Sequence, residues 1–140
     1  MKYDITIIGS GPGGYVAAIR ASQLGLKVGI IEKAELGGVC LNWGCIPTKA
    51  LLKSAQVFEY LEHAADYGIK VKGGEADIKA IVKRSRDTAD GMSKGVQFLM
   101  KKNKIDVIQG SGKLISAGKV EVSDAKGEKQ IVETNNVIIA

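Results

Sequence analysis

The stretch Gly9-Ser-Gly11-Pro12-Gly13-Gly14 limits what this chain can fold into more than any other, because of what flanks it. Before it, Tyr3 to Ile8 is β-branched and almost wholly apolar, the pattern of a central parallel strand buried on both faces. After it, the sequence predicts an alanine-rich helix from about Tyr15 to Leu24, closed by Gly25. Lys27 to Ile31 then reads as a second short strand ending at Glu32. Strand, glycine turn, helix and strand form a right-handed parallel crossover. The expected class is therefore α/β, a Rossmann-like domain with a parallel sheet and flanking helices.

The glycines follow G-x-G-x-x-G, and each has its own task. Gly9 permits the tight turn, and Gly11 lets backbone approach a pyrophosphate without a Cβ in the way. Gly14 lets the helix pack closely on the strand. The helix start offers N–H groups and a positive dipole end to phosphates. Glu32, closing the second strand, is placed to accept hydrogen bonds from an adenosine ribose. The pattern fits FAD and NAD equally.

Residues 33–44 form a glycine-rich connection, long enough to suggest a functional loop. A helix is expected to open around Cys45 to Pro47, where proline suits the first turn, and to run to about Ala65. Asp77 to Lys102 is a longer helical stretch. Its apolar residues Ile78, Ile81, Val82, Ala89, Met92, Val96, Leu99 and Met100 recur at three-to-four spacing, predicting one face packed on the Cys45 helix or the sheet. Ile105 to Gln109 reads as a strand, and from Gly112 onward turns at Ala117-Gly118 and Lys126-Gly127 suggest a small β-meander. The final run, Asn136 to Ala140, is an apolar strand with nothing after it, the expected mark of an incomplete domain spanning 1–140 of a longer protein.

Composition narrows the function classes. At 140 residues the chain suits one domain with a real core. It has no apolar run of about 18 residues, so no membrane partner is expected. Asp4 precedes a strand-like run without a cleavage-type tail, unlike a signal peptide, which points to the cytoplasm, or to an organelle matrix with the targeting segment already absent. The net charge of +5 is spread from Lys2 to Lys129 among acids, and aromatics make up only 5% of the chain. That is a solvated basic surface, and no nucleic-acid partner is expected.

Two cysteines, Cys40 and Cys45, flank Leu-Asn-Trp-Gly. In a reducing compartment such a pair points to catalysis or metal binding more than to a structural bridge. Gly44 lets the segment turn so that both sulfurs can lie on one side. Cys45 is expected at a helix N-terminus, where the dipole favours thiolate, while Cys40 in the loop is expected to be the more accessible. Three alternatives stand beside a redox pair: a zinc site short of ligands, a structural disulfide, and two unrelated buried thiols. The lone histidine, His63, reads as a surface or partly buried helix residue. Lys49 is one turn beyond Cys45 on the same helix face, where its charge can lie near the thiolate.

Taken together, the glycine pattern, Glu32-Lys33 and Gly37-Gly38-Val39-Cys40-Leu-Asn-Trp-Gly44-Cys45-Ile-Pro-Thr-Lys49 resemble the flavin disulfide reductases, most nearly their dihydrolipoamide dehydrogenases. Thr48 where serine is usual and Trp43 where valine is common are mild departures. The resemblance covers all 140 residues as the first third of such an enzyme. It implies FAD as the bound dinucleotide and a redox-active Cys40–Cys45 disulfide, with Cys45 facing the flavin and Cys40 exchanging with substrate. It implies that Lys49 stabilises charge on the flavin ring. It also implies cofactor contacts from Gly9, Gly11, Pro12, Gly13, Gly14, Glu32, Lys33, Gly37, Gly38, Val39, Gly44, Gly112 and Ala140. The implied activity is NAD-dependent oxidation of dihydrolipoamide by a homodimer serving lipoyl domains of 2-oxoacid dehydrogenase complexes or the glycine cleavage system. The NAD-binding, central and interface domains, and a partner-supplied histidine base, are not in this sequence, so the chain alone is expected not to turn over. A reductase of another disulfide or of a mercuric ion, and a non-catalytic nucleotide-binding module, are the alternatives.

Overall fold

The computed structural model describes residues 2–140. Its sheet has six strands in the order β3-β2-β1-β6-β5-β4. The central strand β1 (Lys2–Ile8) pairs in parallel with β2 (Val28–Glu32) and with β6 (Lys129–Ile139). β3 (Asp106–Gln109) extends the parallel part beyond β2. Every residue of β2 is buried, as its unbroken Val-Gly-Ile-Ile run requires of a strand covered on both faces.

The meander, β4 (Ser111–Ser116), β5 (Lys119–Ser123) and β6, is antiparallel as expected, but it is not a separate unit. β6 serves both halves of the sheet. Glu133 pairs with Lys119 of β5 on one side and with Lys2 of β1 on the other. Below that point β6 belongs to the meander, and above it to the parallel sheet. The meander folds over one face of the parallel strands, where Val120, Val122 and Val132 pack with Tyr3 and Ile31. Burial there, with Asp106 beside it, pushes the Tyr3 hydroxyl up to about 12.

The other face carries the helices. Ile7, Val28 and Ile30 meet Ala18 and Ala21 of α1 (Pro12–Gln23), Leu41 of α2 (Gly38–Asn42) and Val96 and Met100 of α4 (Ile78–Lys102). α1 begins at Pro12, three residues before the expected start, because proline's fixed φ suits the first helical position. α3 (Cys45–Glu62) is followed by a 3-10 turn over Ala64–Tyr67. α4 packs on α3, α2 and α1. Its buried face corrects the apolar stripe: Ala89, Val96 and Met100 are inside, but so are Ser85 and Ser93, whereas Ile78, Val82 and Met92 are exposed. The two serines are tolerated because their hydroxyls donate to the carbonyls of Val82 and Leu36.

Candidate functional site

The glycine turn is assembled from three backbone segments distant in sequence. Gly9 has φ +99°, a left-handed value that glycine adopts without strain, and a Cβ there would run into the carbonyl of Ala140. A Cβ on Gly14 would meet the carbonyl of Gly9, so α1 can approach the strand only because position 14 has no side chain. Ala140 N–H donates to the Ile8 carbonyl at 2.9 Å, fixing the end of β6 against the turn. Cβ atoms at Gly11 or Gly13 would meet nothing within 4 Å, which leaves the outer side of the turn open. No side chain caps α1, so the N–H groups of its first turn remain available to an anion.

Glu32 is buried, and its carboxylate fastens the turn to the second strand. Oε2 accepts from Ser10 N at 2.9 Å and Ser10 Oγ at 2.5 Å, and Oε1 accepts from Ala34 N at 2.9 Å. Burial pushes this carboxyl up, but the hydrogen bonds from Ser10, Ala34 and Lys33 outweigh it and hold the group below its ordinary range. Ser10 in turn receives Gly37 N–H on its carbonyl at 3.1 Å. The expected ribose contact thus falls on a group that already has an internal task. Ser10, an x of G-x-G, was not legible as part of the site, since the pattern leaves that position free.

A cleft of about 590 Å³ opens over the turn, within the usual range for ligand sites. Of the residues singled out in the sequence, Gly9, Gly11, Pro12, Glu32, Lys33, Gly38, Val39, Cys40, Gly112 and Ala140 line it. Ile8, Ser10, Ile31, Ala34, Trp43, Ile139 and the Gly110-Ser111 bend complete the wall. Gly13, Gly14, Gly37 and Gly44 do not reach it: the first two lie in α1, and the others flank α2. Cys45 and Lys49 lie to the side, on α3. Gly112 keeps its place because a Cβ would press on Ile8 and Ile31 at 3.2–3.3 Å. The open Gly11 and Gly13 positions, the uncapped helix start and the carboxylate at the strand end fit a dinucleotide.

Cys40 and Cys45 form a disulfide, with their Cα atoms 4.7 Å apart. This removes the reading of two unrelated thiols. Among the described residues no three His, Cys, Asp or Glu side chains converge as metal ligands. Cys40 is not in a loop as expected but in α2, a five-residue helix inside the glycine-rich connection. Its expected greater accessibility is also reversed: Cys45 is exposed and Cys40 half-buried, because Leu41 and Asn42 anchor α2 in the core. Cys45 is the first residue of α3, and no side chain caps that helix, so the positive end of the dipole is directed at its sulfur. Lys49, one turn on, is exposed. His63 sits at the end of α3, exposed, with Nδ1 3.6 Å from Asp66.

The segment bearing Cys40 is held by one residue of its own stretch, Asn42, and by two of α4 that carry no motif. Asn42 Nδ2 donates to the carbonyls of Gly38 at 2.9 Å and Leu36 at 3.1 Å. From α4, Arg86 donates to the Asn42 carbonyl at 2.9 Å and Ser93 Oγ to the Leu36 carbonyl at 2.9 Å. Only tertiary structure brings Arg86 and Ser93 to the cysteines.

Comparison with known proteins agrees with this geometry. Residues 3–140 match the family described as pyridine nucleotide-disulphide oxidoreductase. The chain is 57% identical over 133 residues to a dihydrolipoyl dehydrogenase of Rhizobium etli, covering 94% of this chain and 27% of that protein. It is 47% identical to the Zymomonas mobilis dihydrolipoyl dehydrogenase, covering 99% of this chain and 30% of the relative. It is likewise 47% identical to the mitochondrial dihydrolipoyl dehydrogenase 1 of Arabidopsis thaliana, covering 98% and 27%. The chain thus spans less than a third of the length of these relatives. With its glycine cradle and adjoining cysteine pair, it belongs to the pyridine nucleotide-disulphide oxidoreductase family.

Proposed function

We propose that this chain is the FAD-binding, disulfide-bearing portion of a dihydrolipoyl dehydrogenase. The observation that carries this reading is the Cys40–Cys45 disulfide, placed at the start of α3 and bordering the glycine-turn cleft. The names of its relatives support the substrate. The uncapped start of α1 would hold the pyrophosphate, and Glu32 and Lys33 would meet the adenosine end. When bound, FAD supplies a two-electron acceptor for the cysteine pair, with NAD as the final acceptor.

The residues of this chain divide the work. A thiolate of dihydrolipoamide attacks Cys40 Sγ, the Cys40–Cys45 bond breaks, and the electron pair leaves on Cys45. Cys45 is the better leaving group because the α3 dipole stabilises its thiolate. The second substrate thiol, once deprotonated, attacks the substrate sulfur of the mixed disulfide and releases Cys40, which takes up a proton as it leaves. The substrate departs as the cyclic disulfide, having lost two electrons and two protons. The cysteine pair has gained two electrons and one proton, and the other proton goes to a base outside this chain. Lys49, on the Cys45 face of α3, favours negative charge at this point. Lipoyl domains, a second copy of the full-length protein and the NAD site belong to the longer protein under this reading.

The test mixes the pure chain with FAD, removes free ligand by gel filtration, and records the visible spectrum. Retained flavin absorbance, and two new thiols per chain after dihydrolipoamide is added, are expected. NADH formation is not. A chain that retains no flavin, and whose disulfide ignores dihydrolipoamide, would overturn the reading.

A further inference from the structure

We propose that Arg86, Ser93 and Asn42 form a strap that sets the reduction potential of the Cys40–Cys45 pair. This rests on the reading of that pair as redox-active. α2 has only five residues, too few to be stable as an isolated helix. Besides Leu41 packed in the core, two kinds of tie keep it in place: the disulfide itself, and hydrogen bonds at both of its ends. Ahead of the helix, the Leu36 carbonyl receives Ser93 Oγ and Asn42 Nδ2. At its far end, the Asn42 carbonyl receives the Arg86 guanidinium. Arg86 and Ser93 are two turns apart on one face of α4, so a single rigid helix grips both ends of the short one.

The consequence is for the reduced state. When the disulfide takes up two electrons and two protons to give two thiols, the covalent tie is gone, and the strap, together with Leu41 packed in the core, holds Cys40 opposite Cys45. A strapped pair has a high effective concentration of one thiol at the other and closes readily, which makes the disulfide hard to reduce. Without the strap, the oxidised form is left with unpaired carbonyls at the ends of α2, whereas the reduced form relaxes. Strap loss therefore favours the dithiol. Arg86, Ser93 and Asn42 act here as positioning residues.

The experiment equilibrates the chain with mixtures of reduced and oxidised dithiothreitol and counts free thiols by alkylation and mass. No flavin is needed, so the result stands whether or not the chain binds FAD. Arg86→Ala is expected to move the equilibrium toward dithiol about tenfold, or about 30 mV for a two-electron couple. Arg86→Lys, which keeps a donor, is expected to restore most of the shift, and Ser93→Ala to give a smaller one. Lys83→Ala removes an exposed α4 lysine paired with Asp87, and is expected to leave the midpoint unchanged. An unchanged midpoint in folded Arg86→Ala and Ser93→Ala, or an equal shift in Lys83→Ala, would overturn the strap. If Arg86→Ala does not fold, Ser93→Ala decides alone.

Discussion

The glycine turn and the cysteine segment lie side by side along one cleft, yet they are held in different ways. The turn is shaped by absent side chains, with backbone touching backbone at Gly9, Gly14 and Ala140, and by one carboxylate, Glu32, that reaches back to Ser10. The cysteine segment is shaped by side chains that reach in from α4, together with a covalent bond. The first arrangement leaves no room for a side chain at Gly9 or Gly14. The second is adjustable because its ties can be made and broken.

The sharpest way to break that comparison is to add a side chain to the turn. Gly14→Val drives a Cβ into the Gly9 carbonyl, and is expected to cost about 3 kcal/mol in urea unfolding and to abolish dinucleotide binding. Removing the covalent tie with Cys40→Ser and Cys45→Ser together is expected to cost about 2 kcal/mol, the loop-closure value for so short a ring. Dinucleotide affinity should survive that change, because the turn does not depend on it.

Glu32→Gln is expected to cost about 1.5 kcal/mol at neutral pH, as a charge-assisted hydrogen bond is lost. The dependence on pH has a definite sign. The Glu32 carboxyl is held below its ordinary value of 4.5 in the folded chain, so its contribution is full above that value and is lost as pH falls through the lower, folded one. Stability measured against pH should therefore fall less steeply on the acid side in Glu32→Gln than in the parent. The smallest effect tests the opposite kind of glycine. A Cβ at Gly91 of α4 meets nothing within 4 Å, and Gly91→Ala is expected to gain about 0.8 kcal/mol in thermal unfolding.

The same contrast explains what the sequence made legible. β1, the turn, α1 and β2 were readable because their constraints are local: β-branched runs, glycines at fixed spacing, proline at a helix start. The cysteine pair was readable from its spacing and its surroundings. α2 was not, because Gly37 and Gly38, both at positive φ, disguise a helix start as a loop. Nor were Arg86 and Ser93, because their partners lie 44 and 57 residues upstream. The face of α4 was misjudged for a related reason: periodicity counts apolar residues, but Ser85 and Ser93 are buried by the hydrogen bonds they make. The double role of β6 escaped too, since no local pattern tells a strand that it must change partners midway.

That double role also bears on the order of assembly. β6 closes on β1 across almost the whole chain, and Ala140, just past its end, forms the wall behind Gly9. Contacts between residues so far apart in sequence form slowly, after local helices and the β1–β2 crossover are in place. A refolding chain is therefore expected to gain dinucleotide affinity only in its final step, when β6 docks. The glycine turn is thus synthesised well before the strand that closes it, and is expected to be the last part of the site to become competent.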